Sequence, residues 1–176
     1  MEPVDYPIFS LPMRTHRSFF TFLFLFFCSF AIAQTEPSAQ TNVEPRLLSG
    51  YELKKEIVVR GKPALYVLTD QDALDNVFTG PSGKSRAGAV NFSKETVIGI
   101  ATLPTVLPTR LAISRVYTQN DQLTVRYTRQ TSPEKQDTTR RPVLLLAIPK
   151  QDVTSVRLVE NGKLLQTLRL KSETAE

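Results

Sequence analysis

Apolar residues in the second half of the chain form short blocks separated by turn-forming residues, a pattern typical of β proteins. Two blocks, TVIGIA at 96–101 and VLLLAI at 143–148, are apolar at nearly every position. A strand buried on both faces has this composition, because neither face meets water. The second block is stopped by Pro149 and is predicted to be a central strand.

Two longer stretches predict β-hairpins. Residues 110–128 carry the turn formers QND at 119–121, and apolar and polar side chains alternate after that turn. Alternation gives a strand one buried face and one solvent-exposed face. Residues 153–170 carry NG at 161–162, the pair favoured by a type I′ turn because both turn positions need positive φ.

A segment that mixes charged and apolar residues, residues 52–68, here called the lead-in, precedes these blocks. Residues 52–60 and 64–68 predict two strands joined by a Gly- and Pro-containing turn. A short helix follows, for which Thr69 is the predicted N-cap and acids fill the first turn. Leu74 and Phe78 are one helical turn apart, so the apolar stripe is expected to lie on the sheet.

These elements predict a mainly β fold. The expected architecture is an antiparallel sandwich or partly open barrel of about seven to eight short strands with one short helix. It forms a single β-rich domain over residues 46–170. Residues 171–176 are predicted to be a flexible tail.

The first 33 residues have the layout of a signal peptide: two arginines, an apolar run, and Ala-Ile-Ala before Gln34. Cleavage before Gln34 is expected, with Met1 or Met13 as the true start. The polar, Pro-containing residues 34–45 predict a disordered linker. The mature protein is therefore expected to be periplasmic, displayed on the cell surface or secreted, with no stable membrane span.

Cleavage would remove Cys28 and His16, the single cysteine and single histidine. The mature chain then lacks the residues for a Ser-His-Asp or Cys-His triad and for the usual zinc site. Residues 132–135 match the S-x-x-K pattern of serine-lysine enzymes but fall in a polar loop, and GKS at 83–85 lacks the context of a phosphate-binding loop. No enzyme activity, metal or cofactor is predicted.

The chain has 22 Lys and Arg against 17 Asp and Glu, a net charge of +5. These charges are scattered along the sequence, which favours an ordinary solvated surface. The other interpretation is contact with an anionic envelope surface or an acidic partner; nucleic acid is not expected as a ligand.

Two loops are the candidate binding region. LPTVLP at 103–108 contains two prolines and cannot be an ordinary central strand, and residues 129–141 form a long polar loop. Such loops lie at the surface, where binding residues concentrate. Either they serve binding, with an arginine placed for a partner's carboxylate, or they only close strand ends. The candidate partner-binding residues are Pro104, Thr105, Pro108, Arg140 and Arg141.

An ordered set of motifs carries a family resemblance: NFSKETVIGIA at 91–101, a Pro-Thr loop, a hairpin, and RRPVLLLAIPK at 140–150. Over residues 72–156 the chain resembles the C-terminal domain of the PrcB family of protease-complex subunits, in which Asp stands in place of Asn91. The resemblance implies a β-rich domain that accompanies a secreted protease without catalysis of its own.

Two functions follow as expectations. The first is an exported, non-catalytic binding or accessory domain that partners a secreted or envelope protease. The alternative is a protease inhibitor that presents the loops at 103–108 and 129–141 to a protease cleft.

Overall fold

The computed structural model describes residues 38–81 and 89–170. The predicted signal peptide, the GKS loop at 83–85 and the tail at 171–176 lie outside these residues. Within them the fold is mainly β, with one helix, α1 (Gln71–Val77). The strands are β1 (Thr41–Asn42), β2 (Arg46–Leu48), β3 (Glu52–Leu53), β4 (Ala64–Leu68), β5 (Phe78–Thr79), β6 (Glu95–Ala101), β7 (Thr109–Gln119), β8 (Gln122–Thr131), β9 (Val143–Pro149), β10 (Ser155–Glu160) and β11 (Lys163–Arg169).

The strands form two main sheets and a ribbon. Sheet A has the order β1-β7-β8-β10-β11, sheet B the order β2-β9-β6-β4, and β3 pairs with β5 in the ribbon. Every pairing is antiparallel except that of β10 with β8. The sheets do not close into a barrel, so the sandwich form of the predicted β architecture is confirmed.

Sheet B is covered on both faces, which explains the two uninterrupted apolar blocks. Ile98 on β6 and Leu146 on β9 join the core cluster shared with sheet A. Their neighbours Val97 and Leu145 join a second cluster on the opposite face, together with the helix. Successive side chains of a strand point to opposite faces, so β6 and β9 need apolar residues at consecutive positions. The prediction that β9 is a central strand is confirmed.

The helix layer lies on sheet B as the apolar stripe predicts. Leu74 and Phe78 are fully buried in the second cluster. The Phe78 ring packs directly on Gly99 of β6, where an added Cβ would stand only 2.8 Å from two of the ring carbons. The predicted cap at Thr69 is wrong by one residue, because the side chain of Asp70 accepts the Ala73 N–H at 2.7 Å.

This cap gives a direct test. We expect Asp70→Ala to lower the free energy of unfolding by about 1 kcal/mol, since it leaves a helix N–H without its side-chain acceptor. Thr69→Ala is the matched control and should change stability by less than about 0.5 kcal/mol. Urea unfolding of both variants measures the difference. Equal losses would contradict the assignment of Asp70 as the cap.

Both predicted hairpins are confirmed. The first turn uses Asn120 and Asp121, with φ of 50° and 53°, and the second uses Asn161 and Gly162, with φ of 48° and 85°. Positive φ at both central residues matches the twist of the flanking strands. The first turn lacks glycine, and Asn and Asp are the residues that best tolerate this conformation.

Three sequence-based boundaries are wrong. Residues 129–131, placed in the long polar loop, form the end of β8 and pair with β7. Thr41 and Asn42, placed in the disordered linker, pair with Thr118 and Tyr117, and Val43 is buried in the core. The predicted strand over 52–60 is reduced to β3. After β3 the chain turns, with the Ile57 N–H donating to the Lys54 carbonyl at 3.2 Å, and it remains irregular up to β4.

The NFSKE segment is a tight turn that introduces β6. The Ser93 N–H and hydroxyl donate to the Asn91 side chain at 3.2 and 2.6 Å, and the Asn91 N–H donates to Glu95 Oε2 at 2.9 Å. Arg46 on β2 approaches the same carboxylate at 2.9 Å. The hydrogen bond from Asn91 and the guanidinium hold the pKa of Glu95 below its usual value. This turn therefore ties β2 to the start of β6.

Candidate functional site

The two candidate loops are joined to each other by backbone hydrogen bonds. Thr105 and Arg140 form an antiparallel bridge in which each N–H donates to the other's carbonyl at 2.8 Å. The Gln136 N–H donates to the Val106 carbonyl at 2.8 Å, and the Ser132 N–H to the Pro108 carbonyl at 2.9 Å. The loops therefore form one connected rim rather than two independent segments.

Side chains at the base of this rim add further bonds. The Thr102 N–H and hydroxyl both donate to the Pro142 carbonyl, at 2.9 and 3.1 Å. The Thr105 hydroxyl accepts the Leu107 N–H at 3.0 Å, and the Thr109 hydroxyl donates to the Leu107 carbonyl at 3.0 Å. Threonine hydroxyls, as donors and as acceptors, thus fix a loop whose prolines have no N–H to donate.

The rim borders an open cleft of about 570 Å³, here called the loop cleft. Its walls come from the rim, from the start of β9 and from β3 with the residue before it. The lining residues are Tyr51, Glu52, Leu53, Leu107, Pro108, Thr109, Thr139, Arg140, Arg141, Pro142 and Val143. Three of the five candidate residues, Pro108, Arg140 and Arg141, therefore share one cleft.

Pro104 and Thr105 lie on the other side of the proline loop. They line a smaller cleft of about 210 Å³ together with Arg129 and Thr131 of β8. Arg129 is paired there with Glu160 at 3.4 Å, and Glu160 also accepts a hydrogen bond from the buried Tyr127 hydroxyl. Burial first, and then Glu160, raises the pKa of Tyr127. The smaller cleft thus borders Arg129, Glu160 and Tyr127, whose polar groups are already paired with one another.

Arg141 serves the fold, which changes its sequence-based role. Its guanidinium donates to the carbonyls of Ile57, Lys54 and Leu53, at 2.9, 3.2 and 3.4 Å. These carbonyls belong to the end of β3 and to the irregular segment that follows it. Because the planar fork of Arg141 is engaged with three acceptors, it holds the far wall of the loop cleft in place.

Arg140 differs from its neighbour. Its backbone N–H and carbonyl are fixed in the bridge to Thr105, whereas its side chain is exposed and lines the loop cleft. A fixed backbone reduces the freedom that the side chain loses on binding. The pair RR at 140–141 therefore divides into a structural arginine and an available one, a division that two identical adjacent letters do not reveal.

The opposite wall was missed by sequence reasoning. Tyr51 and Glu52 line the loop cleft because β3 pairs with β5 beside the helix. Leu53 is buried and forms part of the second core cluster. The lead-in appeared to be an ordinary strand, and no local signal places it opposite residues about ninety positions later.

No family model, curated protein or solved structure matches the chain. Among residues 38–81 and 89–170, no helix is long and apolar enough to cross a membrane. The same ranges hold no group of three or more His, Cys, Asp or Glu side chains arranged for a metal ion. The resemblance to PrcB-type subunits stays a prediction.

Proposed function

We propose that the chain is a non-catalytic binding domain that takes a segment of a partner protein into the loop cleft. One observation carries the proposal: a cleft wall fixed by backbone hydrogen bonds presents the exposed guanidinium of Arg140 beside the apolar Leu107, Pro108 and Val143. Pre-formed clefts that place a few polar groups beside apolar side chains are typical binding sites. The cation fits an acidic side chain or terminal carboxylate on that segment.

The class of partner comes from the sequence. A signal-peptide layout and the resemblance to a protease-complex subunit both favour a secreted or envelope protease. The domain would then hold or position the protease and leave catalysis to it. Glu52 on the opposite wall would favour a cationic or hydroxyl group at the other end of the bound segment.

The inhibitor alternative rests on Val106, which is 37% exposed in the proline loop. An inhibitory loop must offer its backbone and side chains to a protease cleft. Here the Thr105 N–H and carbonyl are paired with Arg140, and the Val106 carbonyl accepts from Gln136. Because so much of this backbone is already paired, the cleft-binding function is better supported.

Charge reversal at Arg140 tests the proposal. With the chain as bait in envelope extract, Arg140→Glu should reduce capture of the partner several-fold and leave the urea midpoint unchanged, because the lost charge is exposed. Arg60→Glu, an exposed arginine outside the loop cleft, is the matched control and should capture normally.

Arg141→Ala separates binding from stability. We expect a loss of about 1–3 kcal/mol of unfolding free energy, since three backbone carbonyls lose their hydrogen bonds from a charged donor. Undiminished capture by Arg140→Glu would contradict the cleft proposal. Undiminished stability of Arg141→Ala would contradict the structural role of Arg141 and would leave the test of Arg140 unaffected.

A further inference from the structure

Five arginines lie on the face of sheet A that points away from the core. On β8, Leu123, Val125 and Tyr127 belong to the core cluster, so the residues between them lie on the opposite face. Directly paired residues share a face, so the strand register places arginines of β7, β10 and β11 on the same face as Arg126 of β8. The set, here called the arginine face, comprises Arg110 and Arg115 on β7, Arg126 on β8, Arg157 on β10 and Arg169 on β11.

Four of these arginines form a diagonal row with one member on each strand. Arg115 is directly opposite Arg126. Arg157 lies one diagonal step from Arg126, and Arg169 lies one further step in the same direction. Diagonal neighbours in a sheet are about 7–8 Å apart, and the row crosses four strands, so its length is roughly 20 Å.

None of the five arginines forms an ion pair within the described part of the chain. On β7, β8, β10 and β11, the positions that share this face hold Arg, Thr, Gln, Ser, Tyr and a few apolar residues, without Asp or Glu. The two ion pairs found there use Arg46 and Arg129, which do not belong to the face. Like charges directly opposite on neighbouring strands destabilise a sheet. The Arg115–Arg126 pair therefore costs stability, which is typical of a surface kept for binding.

Neutral partners hold two of the guanidinium groups in place. Arg115 donates to Asn42 Oδ1 at 2.9 and 3.1 Å and lies 4.9 Å from the centre of the Tyr117 ring. Arg157 donates to Gln122 Oε1 at 3.3 Å. These contacts orient the forks without cancelling their charge, so less side-chain entropy is lost when an anion binds.

We propose that the arginine face binds a linear acidic polysaccharide. Guanidinium forks recognise carboxylate or sulfate groups through paired hydrogen bonds, and a row of them matches anionic groups repeated along a polymer. The exposed or half-exposed Thr128, Gln130 and Thr167 share the face. Their hydroxyl and amide groups can exchange hydrogen bonds with the sugar hydroxyls between the charges.

Two other polyanions fit less well. Single-stranded nucleic acid is held by bases stacked on aromatic rings, and the aromatic residue at these strand positions, Tyr117, already has Arg115 over its ring. A lipid surface takes up exposed apolar side chains, and on this face Leu164 is the large exposed one, at the edge strand. The polar side chains between the arginines favour a hydroxylated polymer.

The test titrates the full chain with polygalacturonate and follows affinity at two salt concentrations. We expect binding that weakens with salt, and Arg126→Gln with Arg157→Gln should weaken it at least about tenfold, because two charge-assisted contacts are lost. Lys94→Gln with Lys150→Gln, exposed cations beside the β6 and β9 ends of sheet B, is the matched control and should bind like the wild type. The face variant should unfold at an equal or higher urea concentration, since a like-charge pair is removed.

Two further probes separate the contribution of the carboxylate charges to binding from that of the sugar backbone. Methyl-esterified polygalacturonate keeps the backbone without the charge, and poly-L-glutamate keeps carboxylates without the sugar; both should bind more weakly than polygalacturonate. Failure of the chain to bind polygalacturonate, or equal affinity of the face variant, would overturn the proposal. Tighter binding of poly-L-glutamate, a single-stranded oligonucleotide or anionic phospholipid vesicles would also overturn it and assign the face to that class of ligand.

Discussion

Leu145→Ala is expected to lower the free energy of unfolding by about 2–5 kcal/mol, from lost transfer energy and the cavity left behind. Leu145 is 1% exposed on an interior strand and lies between Leu48 of β2 and Gly99 of β6. Neighbours on both sides are fixed by strand pairing, so the site cannot easily collapse. Urea unfolding with a constant m-value measures the loss.

Leu47→Ala is the matched control for this prediction. Leu47 precedes Leu48 on β2 and is 57% exposed, so its truncation should change stability by less than about 0.5 kcal/mol. A similarly small change for Leu145→Ala would show that β9 does not support the core as described.

Phe78→Ala should cost about 3–5 kcal/mol, the range for a fully buried aromatic residue. Its ring packs edge-on against Tyr66, with centroids 5.6 Å apart and planes at 83°, and it fills the space above Gly99. Removal therefore opens a cavity between α1 and sheet B and also deletes an aromatic pair. Thermal or urea unfolding measures the loss.

Gly99→Ala tests the same contact from the other side. In the wild type the added methyl would stand 2.8 Å from the Phe78 ring, and we expect a cost of about 1–3 kcal/mol from overpacking. In the Phe78→Ala background the same substitution should become neutral or stabilising, because the methyl enters vacated space. Additive losses in the double variant would contradict this packing.

Much of the fold could be predicted because local signals agreed with tertiary structure. Unbroken apolar blocks marked β6 and β9, since a strand covered on both faces has no solvated position. Turn residues marked both hairpins, because positive φ is a local requirement. The helix at 71–77 was also recognisable, although Asp70 and not Thr69 caps it.

The rest depended on contacts that no local pattern contains. Thr41 and Asn42 form β1 only because β7 offers them a free edge. The separate roles of Arg140 and Arg141 depend on the fold of the lead-in against the loop. Likewise, arginines scattered along the sequence become one face only through strand register, which a one-residue shift would reverse.

The parallel neighbours β8 and β10 constrain the order in which the protein can fold. The β7–β8 hairpin can close within its own sequence in microseconds, but β10 reaches β8 only after the chain has crossed to sheet B as β9 and returned. Pairings between distant segments raise the contact order and slow folding to milliseconds or seconds. Until then one edge of β8 stays unpaired, so the interval before β10 docks is when the chain is most exposed to aggregation.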